Sequence, residues 1–438
     1  MIAEPLEIFT QIAHIPHSSF QTEEMFDYIC AFAKKCGYAV QSDGAKNIHA
    51  YTAHKPKLCF QSHYDMVGVG QAHKPLELYE ENGFLRAKNS SLGADNGIGV
   101  ALQLYMMQKY HDLEFLFTNN EEVGLLGARG LELAIRSEQI INLDSETFGQ
   151  IVLGCAGGYD MHIVFDLPQD MTSYPHSYAI STKGFKGGHS GIDIDKNIKN
   201  AIVALMEGIR GIDGGICALS AGEKMNAIPV GASVVLHTHE TLQTLYSKLD
   251  CEEFLIEELA VCGEVYQKDI LVKFVLGLGN GVRYQNSTGV LDSINISLLK
   301  QTNAQVKVSL MGRANTQALL DTNLSDTKKL ALSLQANAKI SIEDFYPPWE
   351  CSISEGDLLL EQVKKSFAPY AVQICQIHAG LECGILQERL ACLGVKNLKI
   401  LSIGPTIIAP HSLGERLDLE DFKKFFRVLE HLVENYKI

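Results

Sequence analysis

Leu113-Glu114-Phe115-Leu116-Phe117-Thr118 is apolar for the length of one strand and then stops at Asn119-Asn120-Glu121-Glu122. A short apolar run bounded by polar residues predicts a strand buried on both faces. The pattern recurs to either side. The 58–61 run stops at His63-Tyr64-Asp65, and the 140–143 run stops at Asp144. Between these runs the period becomes helical. Met25, Phe26, Ile29 and Phe32 mark a helix over 23–36, and Ile98, Ala101, Leu102, Tyr105 and Met106 mark one over 97–110. A further helix is predicted over 125–135. Strands alternating with helices predict an α/β fold, a mainly parallel sheet covered by helices. In such sheets the carboxyl ends of the strands line the binding crevice. Three strands therefore deliver a histidine and carboxylates to one edge. Leu92-Gly93-Ala94-Asp95-Asn96-Gly97 adds Asp95 just ahead of a helix.

The character changes near Gly157. Half-buried strands are predicted at 178–183 and 232–239, further strands near 270–276 and 305–310, and helices over 196–210 and 241–262. These describe an α+β module. Beyond Pro347-Pro348 come a helix over 357–367, a strand over 398–403 and a helix over 418–436. The expected organisation is a first domain formed by 1–158 and 347–438, interrupted by an inserted domain over 159–346.

Composition narrows the function. The 438 residues are 46% hydrophobic and 20% charged, an ordinary globular balance. Acids outnumber bases 52 to 37, and the net charge of −15 argues against a sequence-independent nucleic-acid partner. The longest uncharged stretch near the C-terminus, Ile400 to Leu413, is broken by Gly404, Pro405 and Pro410, so no membrane span is expected. The start of the chain lacks the basic and apolar regions of a signal peptide, and a cytoplasmic protein is expected. The 11 scattered cysteines include no CxxC pair and read as reduced thiols.

One histidine, one shared aspartate and two further carboxylates suit zinc, manganese or cobalt. Each piece is weak alone. Asp95 by itself reads as a helix cap, and adjacent glutamates occur five times in the chain. Their convergence at strand ends is what carries the reading. One more nitrogen ligand would complete a pair of metals, and His189, His378 and His411 are candidates that spacing alone leaves open. Gly277-Leu278-Gly279-Asn280-Gly281 lacks the Lys-Ser or Lys-Thr of a phosphate loop. Cys383 reads as a small buried residue rather than a nucleophile.

The motif set resembles a known family. His63-Tyr64-Asp65-Met66-Val67, Leu92 to Gly99, Asn119 to Gly124, Asn142-Leu143-Asp144-Ser145-Glu146 and Gly154-Cys155-Ala156-Gly157-Gly158 look like signature blocks of the aminoacyl-histidine dipeptidase (peptidase D) family. Further matches are Gly184 to Gly191, Asn226-Ala227-Ile228-Pro229, His378-Ala379-Gly380-Leu381-Glu382-Cys383-Gly384 and Ser402-Ile403-Gly404-Pro405-Thr406. That family lies among the two-zinc metallopeptidases with carboxypeptidase G, peptidase T and peptidase V.

The resemblance implies roles. His63 and Asp144 would bind one metal ion, Glu122 and His411 the other, and Asp95 would bridge them. Glu121 would be the general base, and Asp65 would orient the His63 ring. His189 would polarise the scissile carbonyl. Arg313 would meet the substrate carboxylate, Glu382 the substrate amine, and Asn226 would also contact substrate. The implied protein is a two-zinc dipeptidase for unblocked dipeptides, Xaa-His or broader such as Cys-Gly, dimerising through a lid domain. A deacylase of N-acyl amino acids on the same fold is the alternative. This chain has Ile408 where the family often carries arginine, and Met311-Gly312-Arg313-Ala314 matches the family's lid strand only loosely.

Overall fold

The strands that carry the site are apolar throughout because both of their faces are covered. Leu58–His63 and Leu113–Thr118 are buried along their whole length. The computed structural model describes residues 4–261, 263–286, 289–350 and 352–437. The chain divides into two compact units. One comprises Met1–Gly154, Trp349–Gln376 and Leu381–Ile438; the other comprises Cys155–Pro348 and Ile377–Gly380.

The first unit is built on a mixed sheet. Its order runs Ala39–Ser42, Ile48–Tyr51, Leu113–Thr118, Leu58–His63, Gln139–Asn142, Lys399–Ser402, Gln150–Cys155 and Trp349–Glu350. The central pairings are parallel: Leu58–His63 with Leu113–Thr118 and with Gln139–Asn142, and Lys399–Ser402 with Gln139–Asn142. The outer pairings are antiparallel. Helix Ala94–Lys109 is apolar nearly all round and almost wholly buried. Helix Leu419–Asn435 instead shows one stripe, Phe422, Phe425, Val428, Leu429, Leu432 and Val433, facing the core. Its N-cap Asp418 accepts from the backbone N–H groups of Glu420 and Asp421, at 3.0 Å each. Such a cap is worth about 1 kcal/mol.

The second unit is an antiparallel sheet with helices. Its order is Phe254–Leu259, His176–Thr182, Ala232–Thr238, Gly214–Ala221, Gly289–Thr302, Gln305–Ala314, Gly157–Asp166 and Lys339–Tyr346. Helices Ala201–Arg210, Asp269–Gly277 and Gln317–Leu334 complete its own apolar core. No helix among the described residues is long and apolar enough to cross a membrane.

Three predicted elements are corrected. The 125–135 helix shrinks to Leu126–Arg129. Leu131, Leu133 and Ile135 are buried alternately, a period of two that fits an extended segment. The predicted helix over 241–262 is a helix at Leu242–Lys248 followed by a strand at Phe254–Leu259; Cys262 lies outside the described residues. The strand expected near 270–276 is the helix Asp269–Gly277. Its unbroken aliphatic run satisfies either period, and packing against the helices Ala201–Arg210 and Gln317–Leu334 decides it.

Candidate metal centre

The parallel strands end in register, so their last residues arrive together. His63 closes its strand and is paired with Thr118, three residues before Glu121. Gln61 pairs with Asn142, two residues before Asp144. The Asp95 backbone is non-helical (φ −85°, ψ 105°), which turns the residue out of the helix that follows. Gly93 makes this possible. It sits at φ +66°, and a Cβ there would lie 2.7 Å from the Met66 sulfur.

The two carboxylate oxygens of Asp95 face two different histidines. His63 Nε2 lies 3.1 Å from Oδ1, and His411 Nε2 lies 2.9 Å from Oδ2. His63 Nε2 is also 3.3 Å from Asp144, and His411 Nε2 is 3.0 Å from Glu122. The donors form the groups His63–Asp95–Asp144 and Asp95–Glu122–His411, with atoms in each within 4.8 Å of one another. His63 also groups with Glu121 and Glu122. His63, buried on every side, contributes from inside the fold, whereas His411 is 46% exposed and lies on the open side.

This donor set fits divalent cations. The protonation of the two histidines shows what the surroundings demand. Burial alone would pull both rings down. Asp144 nevertheless holds His63 well above its usual range, and Asp95 and Glu122 push His411 up to about 11. The acids thus draw protons to the positions that cations would take, and binding a metal must displace them. The carboxyls respond to the same crowding. Glu121 is raised well above the usual range by burial first, with Glu122, Asp144 and Glu382 adding to it. Glu122 is raised to about 7 by burial and then Asp95.

Asp65 does more than the sequence implied. His63 Nδ1 donates to the Asp65 backbone oxygen at 3.0 Å, while the nearer carboxylate oxygen is 3.5 Å away. This leaves Nε2 facing the acids. The Asp65 carboxylate instead accepts from the backbone N–H of Glu121 at 2.9 Å, from Glu122 N–H at 3.4 Å and from Ser19 Oγ at 2.8 Å. It fixes the Glu121–Glu122 turn. That segment is a turn with Asn120 at φ 51°, not the extended strand that would point neighbouring residues to opposite sides.

Two further acids were not legible as supports. Glu415 accepts from the backbone N–H groups of Leu92 (2.9 Å), Ala94 (2.8 Å) and Asp95 (3.4 Å), so it holds the loop that presents Asp95. Glu146 lies beside Asp95 and Asp144, and burial followed by these acids raises its carboxyl well above the usual range. Its place two residues beyond Asp144 was the available signal.

Glu382, for which the resemblance implied contact with the substrate amine, also braces the sheet. It is fully buried, and its Oε2 accepts from Gln61 at 2.7 Å and from Thr118 at 2.6 Å. Gln61 in turn accepts from Asn142 at 2.6 Å. Glu382 therefore ties together the strands that end in His63, Glu121–Glu122 and Asp144. One oxygen is a strut of the centre, while Oε1 has no hydrogen-bond partner among the described residues.

The comparisons with known proteins fit this geometry. A model described as peptidase family M28 matches residues 47–156, the segment holding His63, Asp95, Glu122 and Asp144. The cytosol non-specific dipeptidase of Escherichia coli (strain K12) is 28% identical, over 98% of this chain and 97% of its own length. The solved aminoacylhistidine dipeptidase of Vibrio alginolyticus is 27% identical, with a TM-score of 0.79 over 99% of this chain and 96% of that one. Over nearly its whole length the chain is thus similar to dipeptidases. A more distant structure shares the fold alone: a PepT aminopeptidase from Bacillus cereus is 14% identical with a TM-score of 0.60, over 98% of this chain and 97% of that one.

The second unit carries the other residues expected from the family blocks. His189 lies in the short strand Gly188–His189, paired with Ala227 beside Asn226. The backbone oxygen of Asn226 accepts from Ser190 N–H at 2.9 Å. His189 Nδ1 accepts from the N–H groups of Gly191 and Ile192, at 3.1 and 3.0 Å, which places the ring proton on Nε2. His378 is no ligand. Its two ring nitrogens bond Ser293 and Asn315, at 2.7 and 2.8 Å, and burial followed by Arg313 lowers it to about 3.

Proposed function

We propose that this protein is a two-zinc dipeptidase of unblocked dipeptides, Xaa-His or broader such as Cys-Gly. One observation carries the reading: the two oxygens of Asp95 are divided between His63 and His411, the arrangement a bridging carboxylate needs. His63, Asp144 and Asp95 would hold one ion, and Asp95, Glu122 and His411 the other. Bound in pairs, such ions lower the pKa of a shared water toward ~7 and polarise a carbonyl.

The chain's own residues do the rest. Glu121 takes the proton from the attacking water and delivers it to the leaving amine. Its raised carboxyl suits a group that must hold that proton between the two steps. Asp65 keeps the Glu121 backbone in place through the 2.9 Å bond. His189, with its proton on Nε2, donates to the carbonyl oxygen as charge develops there. Arg313 takes the terminal carboxylate. It is 5% exposed, its Nε has no hydrogen-bond partner, and it forms no ion pair among the described residues. A buried guanidinium without a counter-charge is costly unless an anion arrives.

The test is chelation joined to a substrate panel. Ala-His and Cys-Gly are expected to be hydrolysed, to stop being hydrolysed after dialysis against chelator, and to recover with zinc, cobalt or manganese. N-acetyl amino acids are expected to stay intact. Unchanged turnover in excess chelator would remove the metal reading, and faster cleavage of the N-acetyl compounds would make the protein a deacylase.

A further inference from the structure

We propose that Tyr346 is a specificity-determining residue, whose hydroxyl is the second donor, beside Arg313, for the C-terminal carboxylate of the dipeptide. The proposal deepens the dipeptidase reading and rests on it.

Strand register creates the pair. Arg313 and Tyr346 lie on the two strands flanking Gly157–Asp166, and both are register partners of Gly158. Residues directly opposite one another share a face of a sheet. Gly158 has no side chain between them, so the guanidinium and the phenol meet above it, with Arg313 Nη1 donating to Tyr346 Oη at 2.5 Å. A Cβ on Gly158 would stand 2.6 Å from that oxygen. Gly380 also leaves room for the ring, since its Cβ would lie 3.1 Å from Tyr346 Cε2. The glycines of two sequence blocks with no chemistry of their own thus have a common purpose.

The direction of the hydrogen bond matters. A guanidinium can only donate, so the Tyr346 oxygen is the acceptor and its O–H proton must point elsewhere. Among the described residues nothing accepts that proton, and nothing accepts from Arg313 Nε. The nearby acid Asp160 does not fill the gap. It forms no ion pair with Arg313 among the described residues, and burial followed by Asp344 keeps its carboxyl up at about 6 despite the cation. The Arg313 Nε–H and the Tyr346 O–H, adjacent donors without an acceptor among the described residues and one of them charged, form a carboxylate receptor.

Position sets the ligand's length. A Cβ on Gly191 would lie 3.3 Å from Arg313 Nε and 3.3 Å from His189 Cε1. The donor for the scissile carbonyl and the donors for the carboxylate therefore flank a single residue. That spacing matches a carboxylate one residue beyond the cleaved bond.

The experiment compares a dipeptide with its C-terminal amide, using the metal-loaded full chain. Tyr346→Phe is expected to raise KM for the free acid about 10-fold or more, the scale of one bond to a charged group, with kcat little changed. Turnover of the amide is expected to stay as in the parent, so the preference for acid over amide shrinks by the same factor. Gly158→Ala, which crowds the hydroxyl away, should show the same signature. Calorimetric binding to Glu121→Gln with and without Tyr346→Phe reads the same difference without turnover. Equal loss for acid and amide would mark Tyr346 as merely structural and overturn the proposal, as would no loss at all. If the parent cleaves no dipeptide, the dipeptidase reading falls. Calorimetry then decides this proposal separately: weaker binding of the acid alone supports it, and unchanged binding overturns it.

Discussion

Replacing Glu121 by glutamine is expected to leave metal content at that of the parent while turnover falls about 10²–10⁴-fold, the usual worth of a positioned general base. The expectation follows from how the two adjacent glutamates are engaged. Glu122 is 3.0 Å from His411 and belongs to the group that includes Asp95. Glu121 belongs to neither group containing Asp95. Its backbone is pinned by Asp65, so glutamine can occupy the same position with nearly the same shape. What it lacks is a site for the proton. Metal analysis beside steady-state rates checks this. Loss of metal in step with loss of rate would make Glu121 a ligand and exchange its role with that of Glu122.

Asp95→Ala is expected to cost more, emptying both metal positions and taking activity to background. One carboxylate faces both histidines, so no neighbour can replace it. His63 and Asp144 would remain on one side, and Glu122 and His411 on the other, each a two-residue remnant of a three-residue group. The fold should survive, because Asp95 ends a loop held through its backbone by Glu415 rather than through its own side chain. Metal content by plasma emission, with circular dichroism as the control for folding, measures this. Two full equivalents of zinc in the folded variant would refute the bridge.

The parts of the fold visible in the sequence are those where burial and period coincide. Leu58–His63, Leu113–Thr118 and Gln139–Asn142 are covered on both faces, so their continuous apolar runs and abrupt polar ends were readable. Helix Leu419–Asn435 was readable from its single stripe. Helix Gln317–Leu334 left little trace. Its buried line is Leu320, Asn323, Thr327 and Ala331, half of it polar. Asn323 earns its buried place through hydrogen bonds with Tyr159, Asp292 and Ser293, which no local pattern announces.

The same division holds in the metal centre. His63, Asp95, Glu122 and Asp144 stand at strand ends or loop tips, where type and position suggested chemistry. Their supports are distant in sequence and act on backbone or buried amides. Glu415 reaches loop residues more than 300 positions earlier, and Glu382 reaches Gln61 across 321 positions. Asp65 was visible as a residue, but its bonds to the Glu121 and Glu122 amides depend on the Asn120 turn. Contacts of this kind exist only after the sheet has formed.

Anomalous diffraction at the zinc edge, from crystals grown with excess zinc, tests the account most directly. It should show two neighbouring peaks: one against His63 and Asp144, the other against Glu122 and His411, each touched by one oxygen of Asp95. A single peak, or two that share no Asp95 carboxylate, would contradict it.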